Sequence, residues 1–85
     1  MGDPVEETIY AVLRELAQRH DPQLVEIRPE QVIVDELGLE SLDVAQLVAV
    51  LEDRLGVDPF ATTAITSVRT VSDLCAAYRV ALDAK

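Results

Sequence analysis

Leu37-Gly38-Leu39-Glu40-Ser41-Leu42-Asp43 joins a glycine-broken loop to a strongly periodic segment that runs on to Leu55. One serine stands at the junction, flanked by the carboxylates of Glu40 and Asp43. Downstream, Val44, Leu47, Val48, Leu51 and Leu55 fall within a narrow arc at about 100° per residue, the pattern of an amphipathic helix. Gly56 marks its end. Ser41 then sits where an N-cap belongs, because serine is a leading N-cap residue. The residue three positions on is Val44, which cannot complete a capping box with it.

Working outward, Asp3-Pro4-Val5-Glu6 predicts a helix start, with Asp as N-cap, Pro at the first helical position and Glu reaching back. Val5, Ile9, Val12, Leu13 and Leu16 continue it as one apolar stripe. Arg19 and His20 suit the negative helix end, and Asp21-Pro22 stops it. Between Asp21 and Glu40, Pro22 and Pro29 break regularity. Val32-Ile33-Val34 has the composition of a strand but no second β run to pair with. This stretch is therefore expected to be a long loop pinned by Leu24, Ile27, Val32, Val34 and Leu37, and loops of that length tend to be functional. Asp58-Pro59 predicts a turn, and a short helix is expected around Ala61–Ile65. Thr70-Val71-Ser72-Asp73 has the form of a capping box, followed by the stripe Val71, Leu74, Cys75, Tyr78 and Leu82. The fold class is all-α, a small bundle of three main helices and one short one, in a single domain spanning 1–85.

The totals exclude several classes of function. A chain of 85 residues buries roughly 60–65% of its unfolded surface, enough for one core with little left to wall off a deep site. Apolar residues make up 49% of it, which argues against disorder. A formal net charge of −9 would repel nucleic acid and anionic membranes, so basic surfaces on other proteins are the natural complement. The single Cys75 gives no disulfide framework and fits a reducing compartment. With no long apolar run and no basic-then-apolar leader, a cytoplasmic location is the expectation.

Ser41 has no visible catalytic partner. Nucleophilic serine chemistry needs an oriented base within hydrogen-bond reach, and the one histidine, His20, ends a different predicted helix. Cys75 lies on the apolar stripe of the last helix, where a buried thiol is the expected role. Glu40 and Asp43 are an acid/base pair only in principle, since nothing in the sequence builds a pocket around them. Metal binding lacks a His or Cys cluster. A serine displayed at a helix start with nothing to activate it reads as a serine that another protein modifies. The competing reading, from a different class, is a helical interaction domain in which Ser41 is only a cap.

The helix after Ser41 carries a second face. Leu42, Ala45 and Ala49 fall well away from the core arc, Gln46 and Asp53 border their side, and Val50 lies between the two arcs. An exposed apolar patch rimmed by polar groups is expected to dock proteins. Glu40 and Asp43, with Asp35 and Glu36, form an acidic collar that would attract a basic enzyme.

Glu36-Leu37-Gly38-Leu39-Glu40-Ser41-Leu42-Asp43 and the Leu/Val-rich helix after it resemble the acyl carrier protein family, and the resemblance extends over nearly the whole chain. It implies a four-helix carrier whose Ser41 is esterified by 4′-phosphopantetheine, taken from coenzyme A by a phosphopantetheinyl transferase. The arm would carry acyl groups as thioesters, so the protein would be a non-catalytic, monomeric carrier. Partners implied are that transferase and acyltransferase, ketosynthase or adenylation-type loading enzymes with basic docking surfaces. Their contacts would map onto Glu40, Leu42, Asp43, Val50 and Asp53. Glu40 stands where many acyl carriers have Asp, which keeps the charge. Gln46 and Arg54 replace residues typically acidic in housekeeping fatty-acid carriers. They favour polyketide or related specialised biosynthesis, with a free-standing aminoacyl or peptidyl carrier as the alternative.

Overall fold

Pro4 opens the first helix, α1 (Pro4–Ala17), at a position where a missing N–H removes no intrahelical bond. The computed structural model describes residues 4–24, 26–61 and 67–84. Asp3, expected as the cap, lies outside them. The predicted stripe faces inward: Ile9, Val12, Leu13, Leu16 and Ala17 are buried and Val5 packs at the edge. A looser turn follows, with the His20 and Asp21 amides both bonded to the Ala17 carbonyl at 3.0 and 2.9 Å.

The second helix, α2 (Ser41–Leu55), buries Leu47 and Leu51, while Val44, Leu55 and Val50 pack against the core from its sides. Gly56 ends it with φ +76°, its N–H on the Glu52 carbonyl at 2.8 Å. That left-handed conformation costs glycine nothing and strains other residues. A single 3-10 turn over Pro59–Ala61 follows. The expected short helix beyond Ala61 falls on residues outside the described ones. The last helix, α3 (Val71–Asp83), has the predicted capping box. Thr70 Oγ1 accepts the Asp73 N–H at 3.1 Å, and Asp73 Oδ2 accepts the Thr70 and Arg69 amides at 3.1 and 3.2 Å. Val71, Leu74, Cys75 and Tyr78 are buried.

The regular elements among the described residues are thus all helical, with α1 packed on both α2 and α3 and no strand among them. Tyr78, Ile9, Leu13, Leu39, Leu47, Leu51 and Val71 fill the centre. Each such aliphatic side chain contributes roughly 1.5–3 kcal/mol relative to exposure.

The long loop between α1 and α2 is held by more than side chains. Ile33 N–H bonds the Arg69 carbonyl at 2.9 Å, Val71 N–H the Gln31 carbonyl at 3.0 Å, and Ser72 N–H the Pro29 carbonyl at 2.9 Å. An isolated antiparallel bridge pairs Val32 with Thr70. The strand-like triplet therefore does find a partner, a single bridge at the residue capping α3. This sets the register: Ile33 is buried and Val34 is 59% exposed, which corrects the expectation that Val34 pins the loop. Ile27, Ile33, Leu37 and Leu39 are its buried anchors.

Candidate functional site

The loop reaches α2 through a sharp turn. Glu36 and Leu37 amides bond the Val32 carbonyl at 2.9 and 3.2 Å, and Gly38 takes φ +74°. Leu39, 1% exposed, plugs into the core. Glu40 follows in extended conformation (φ −97°, ψ 174°) as the N-cap, and Ser41 is the first residue of α2.

This corrects the expectation that Ser41 is the cap. Asp43, not Val44, completes the box, taking the Glu40 N–H on Oδ2 at 2.9 Å. The Glu40/Asp43 spacing is the signal in the sequence, one residue earlier than the Ser41 reading. The Ser41 side chain is exposed, and no hydrogen bond of its hydroxyl is found among the described residues. Ser41 as a mere cap therefore loses its support.

Asp43 also departs from expectation. Expected to face partners, it is instead 8% exposed, and its Oδ2 lies 2.7 Å from His20 Nε2. The Glu40 amide first, and the His20 ring second, hold its carboxyl below the usual carboxylate range. Nothing in the sequence brings His20 to this turn; the packing of α1 on α2 does. Arg19 beside it donates to Gln46 Oε1 at 2.8 Å, so both residues cross to α2 rather than only neutralising the end of α1.

Of the other expected contacts, Glu40 and Asp53 are exposed, Leu42 is 79% exposed, and Val50 is half-buried. Ala45, Gln46 and Ala49 are exposed as well. The second face of α2 is therefore open among the described residues.

Between this helix and the loop lies a cleft of about 830 Å³, which sequence reasoning missed. Its walls include Ile33, Leu39, Val44, Val48 and Leu74, and Glu40 and Ser41 belong to the same lining. No one segment announces it, because loop, α2 and α3 each supply part of the wall. The site thus offers an unengaged hydroxyl, among the described residues, on a helix's first residue beside an apolar cleft. The first intrahelical bond is Val44 N–H to the Glu40 carbonyl at 2.9 Å. The Ser41 and Leu42 amides before it in the turn have no intrahelical acceptor and suit an anion. No group of three or more His, Cys, Asp or Glu able to hold a metal ion is found among the described residues.

The family model of the phosphopantetheine attachment site matches residues 7–78. The chain belongs to that family. No curated protein and no solved structure matches it. The match spans α2, the loop before it and most of α1 and α3, so it covers most of the helical scaffold of an acyl-carrier-like domain. The carrier's prosthetic group is 4′-phosphopantetheine, and carrier domains of this kind work with separate partner enzymes. The residues around Ser41 fit a phosphodiester-linked arm: an exposed hydroxyl, helix-start amides and adjacent apolar walls. No helix among the described residues is long and apolar enough to cross a membrane.

Proposed function

We propose that Ser41 bears the 4′-phosphopantetheine and that this carrier domain, a single unit over 1–85, transports acyl intermediates for polyketide or related specialised biosynthesis. One observation carries the attachment site: an exposed serine hydroxyl, unengaged among the described residues, on the first residue of the helix that borders an apolar cleft. The arm supplies a terminal thiol on which an acyl group is held as a thioester; the chemistry resides there and the protein contributes display.

The chain's own part is nucleophile and platform. Ser41 Oγ bonds to the phosphorus bearing the pantetheine, a P–O bond of the coenzyme A pyrophosphate breaks, and the nucleotide portion leaves. The hydroxyl proton goes to the modifying enzyme, since no base is hydrogen-bonded to Ser41 among the described residues. His20, the chain's one imidazole, is engaged by Asp43. Glu40, Leu42, Val50 and Asp53 are the contacts offered to partners, steered by the chain's acidity. The specialised pathway is supported by Gln46 and Arg54 on α2, where housekeeping carriers are acidic.

Incubation with coenzyme A and a broad-specificity phosphopantetheinyl transferase, followed by intact mass, tests the assignment. Wild type should gain one phosphopantetheine and Ser41→Ala none. An adduct on Ser41→Ala would move the site elsewhere.

A further inference from the structure

One carboxylate oxygen joins two segments of chain at the start of α2. Asp43 Oδ2 accepts the Glu40 backbone N–H at 2.9 Å and meets His20 Nε2 at 2.7 Å. A carboxylate only accepts, so the proton of this contact sits on His20 Nε2. The neighbouring bond from Arg19 to Gln46, at 2.8 Å, fastens the same two segments one turn further along. The loop closes against this junction as well: a Cβ on Gly38 would stand 3.9 Å from the His20 Cβ. Ser41 lies between the two residues of α2's start, Glu40 and Asp43, that the clasp ties together.

We propose that His20 and Asp43 are positioning residues for Ser41, and that Asp43 does not act as a docking charge. The inference rests on Ser41 being the attachment site. A carboxylate that is 8% exposed, with two donors on one oxygen, is not available to a basic partner surface. Its effect is on the turn: it fixes the Glu40 amide, and with it the direction in which α2 starts. A phosphodiester on Ser41 then lies by the first-turn amides, with the Asp43 carboxylate turned to the Glu40 amide and His20.

Two pairs of variants separate geometry from charge. Asp43→Asn keeps an acceptor and removes the charge, while Asp43→Ala removes both. His20→Gln keeps a donor near the Nε2 position, and His20→Leu removes it. Two readouts apply: amide exchange of Glu40 in the unmodified protein, and kcat and KM for transferase modification at low and high salt. His20→Leu and Asp43→Ala are expected to speed Glu40 exchange about tenfold. They should also lower kcat with KM little changed at either salt. The conservative variants His20→Gln and Asp43→Asn should retain most of what these two lose in both readouts. An Asp43→Asn variant whose KM rises as far as that of Asp43→Ala, and more at low salt, would make Asp43 a docking charge. Unchanged Glu40 exchange in His20→Leu and Asp43→Ala would remove the clasp. If wild type takes no phosphopantetheine, the attachment site fails, and the exchange data still decide whether the clasp holds the turn.

Discussion

Phe60 stands edge-on to Tyr78, ring centroids 6.1 Å apart and planes at 84°. The pair links the 3-10 turn after α2 to the inner face of α3, and Tyr78 is fully buried. Its hydroxyl has no hydrogen-bond partner among the described residues. Burial, with Asp58 and Glu52 adding to it, pushes the phenol's pKa upward, so the group stays neutral.

Tyr78→Phe keeps the ring contact and deletes the orphan hydroxyl. It is expected to raise unfolding stability by about 1 kcal/mol, read from urea unfolding at neutral pH. A clear loss of stability would show that the hydroxyl is satisfied after all.

Ile33→Ala tests the loop's attachment. Ile33 is 5% exposed and its amide is tied to Arg69, so truncation leaves a hole that the tethered backbone cannot close. The expected cost is about 2–4 kcal/mol. Val34→Ala, on an exposed neighbour, should stay within about 0.5 kcal/mol. Equal effects at the two positions would contradict the observed register.

Acid should weaken the fold through two carboxylates. Asp43 is held below its ordinary value by the Glu40 amide and then by His20, and Asp73 by the Thr70 and then the Arg69 amides. Below the ordinary carboxylate value of about 3.9, the unfolded chain binds protons that the folded chain does not. Their contribution is therefore complete above that value and lost as pH falls through the folded values. Urea midpoints measured downward from neutral pH should fall less steeply in Asp43→Asn and Asp73→Asn than in wild type. Parallel curves for all three proteins would count against both carboxylates.

Leu42→Ala separates folding from docking. A side chain 79% exposed has little to lose, and stability should move by less than about 0.5 kcal/mol. Transferase modification and acyl loading should show a raised KM, because the apolar face beside Ser41 is diminished. A fall in stability with no change in KM would place Leu42 in the fold instead.

How much of this is legible in the sequence follows from how local each determinant is. Helix stripes and the Thr70/Asp73 box depend on spacings of three or four residues, and they stand where spacing puts them. The loop's register depends on one bridge between Val32 and Thr70, residues far apart in the chain, so spacing alone does not tell that Ile33 rather than Val34 turns inward. Ser41 is recognisable as a displayed serine, yet its place in the helix start differs by one residue because Glu40 and Asp43 form the box. His20 at Asp43 and the cleft are products of helix packing, for which no short pattern exists.

The ties from Pro29, Gln31 and Ile33 to the start of α3 also bear on the order of assembly. Such pairings close a long stretch of chain before they return any energy, so they form late in folding. Helices α1 and α2 can take shape locally, whereas the approach to Ser41 acquires its final course only when α3 has docked. A fluctuation that lifts α3 therefore releases that approach too, making the helix farthest along the chain a guardian of the serine's surroundings.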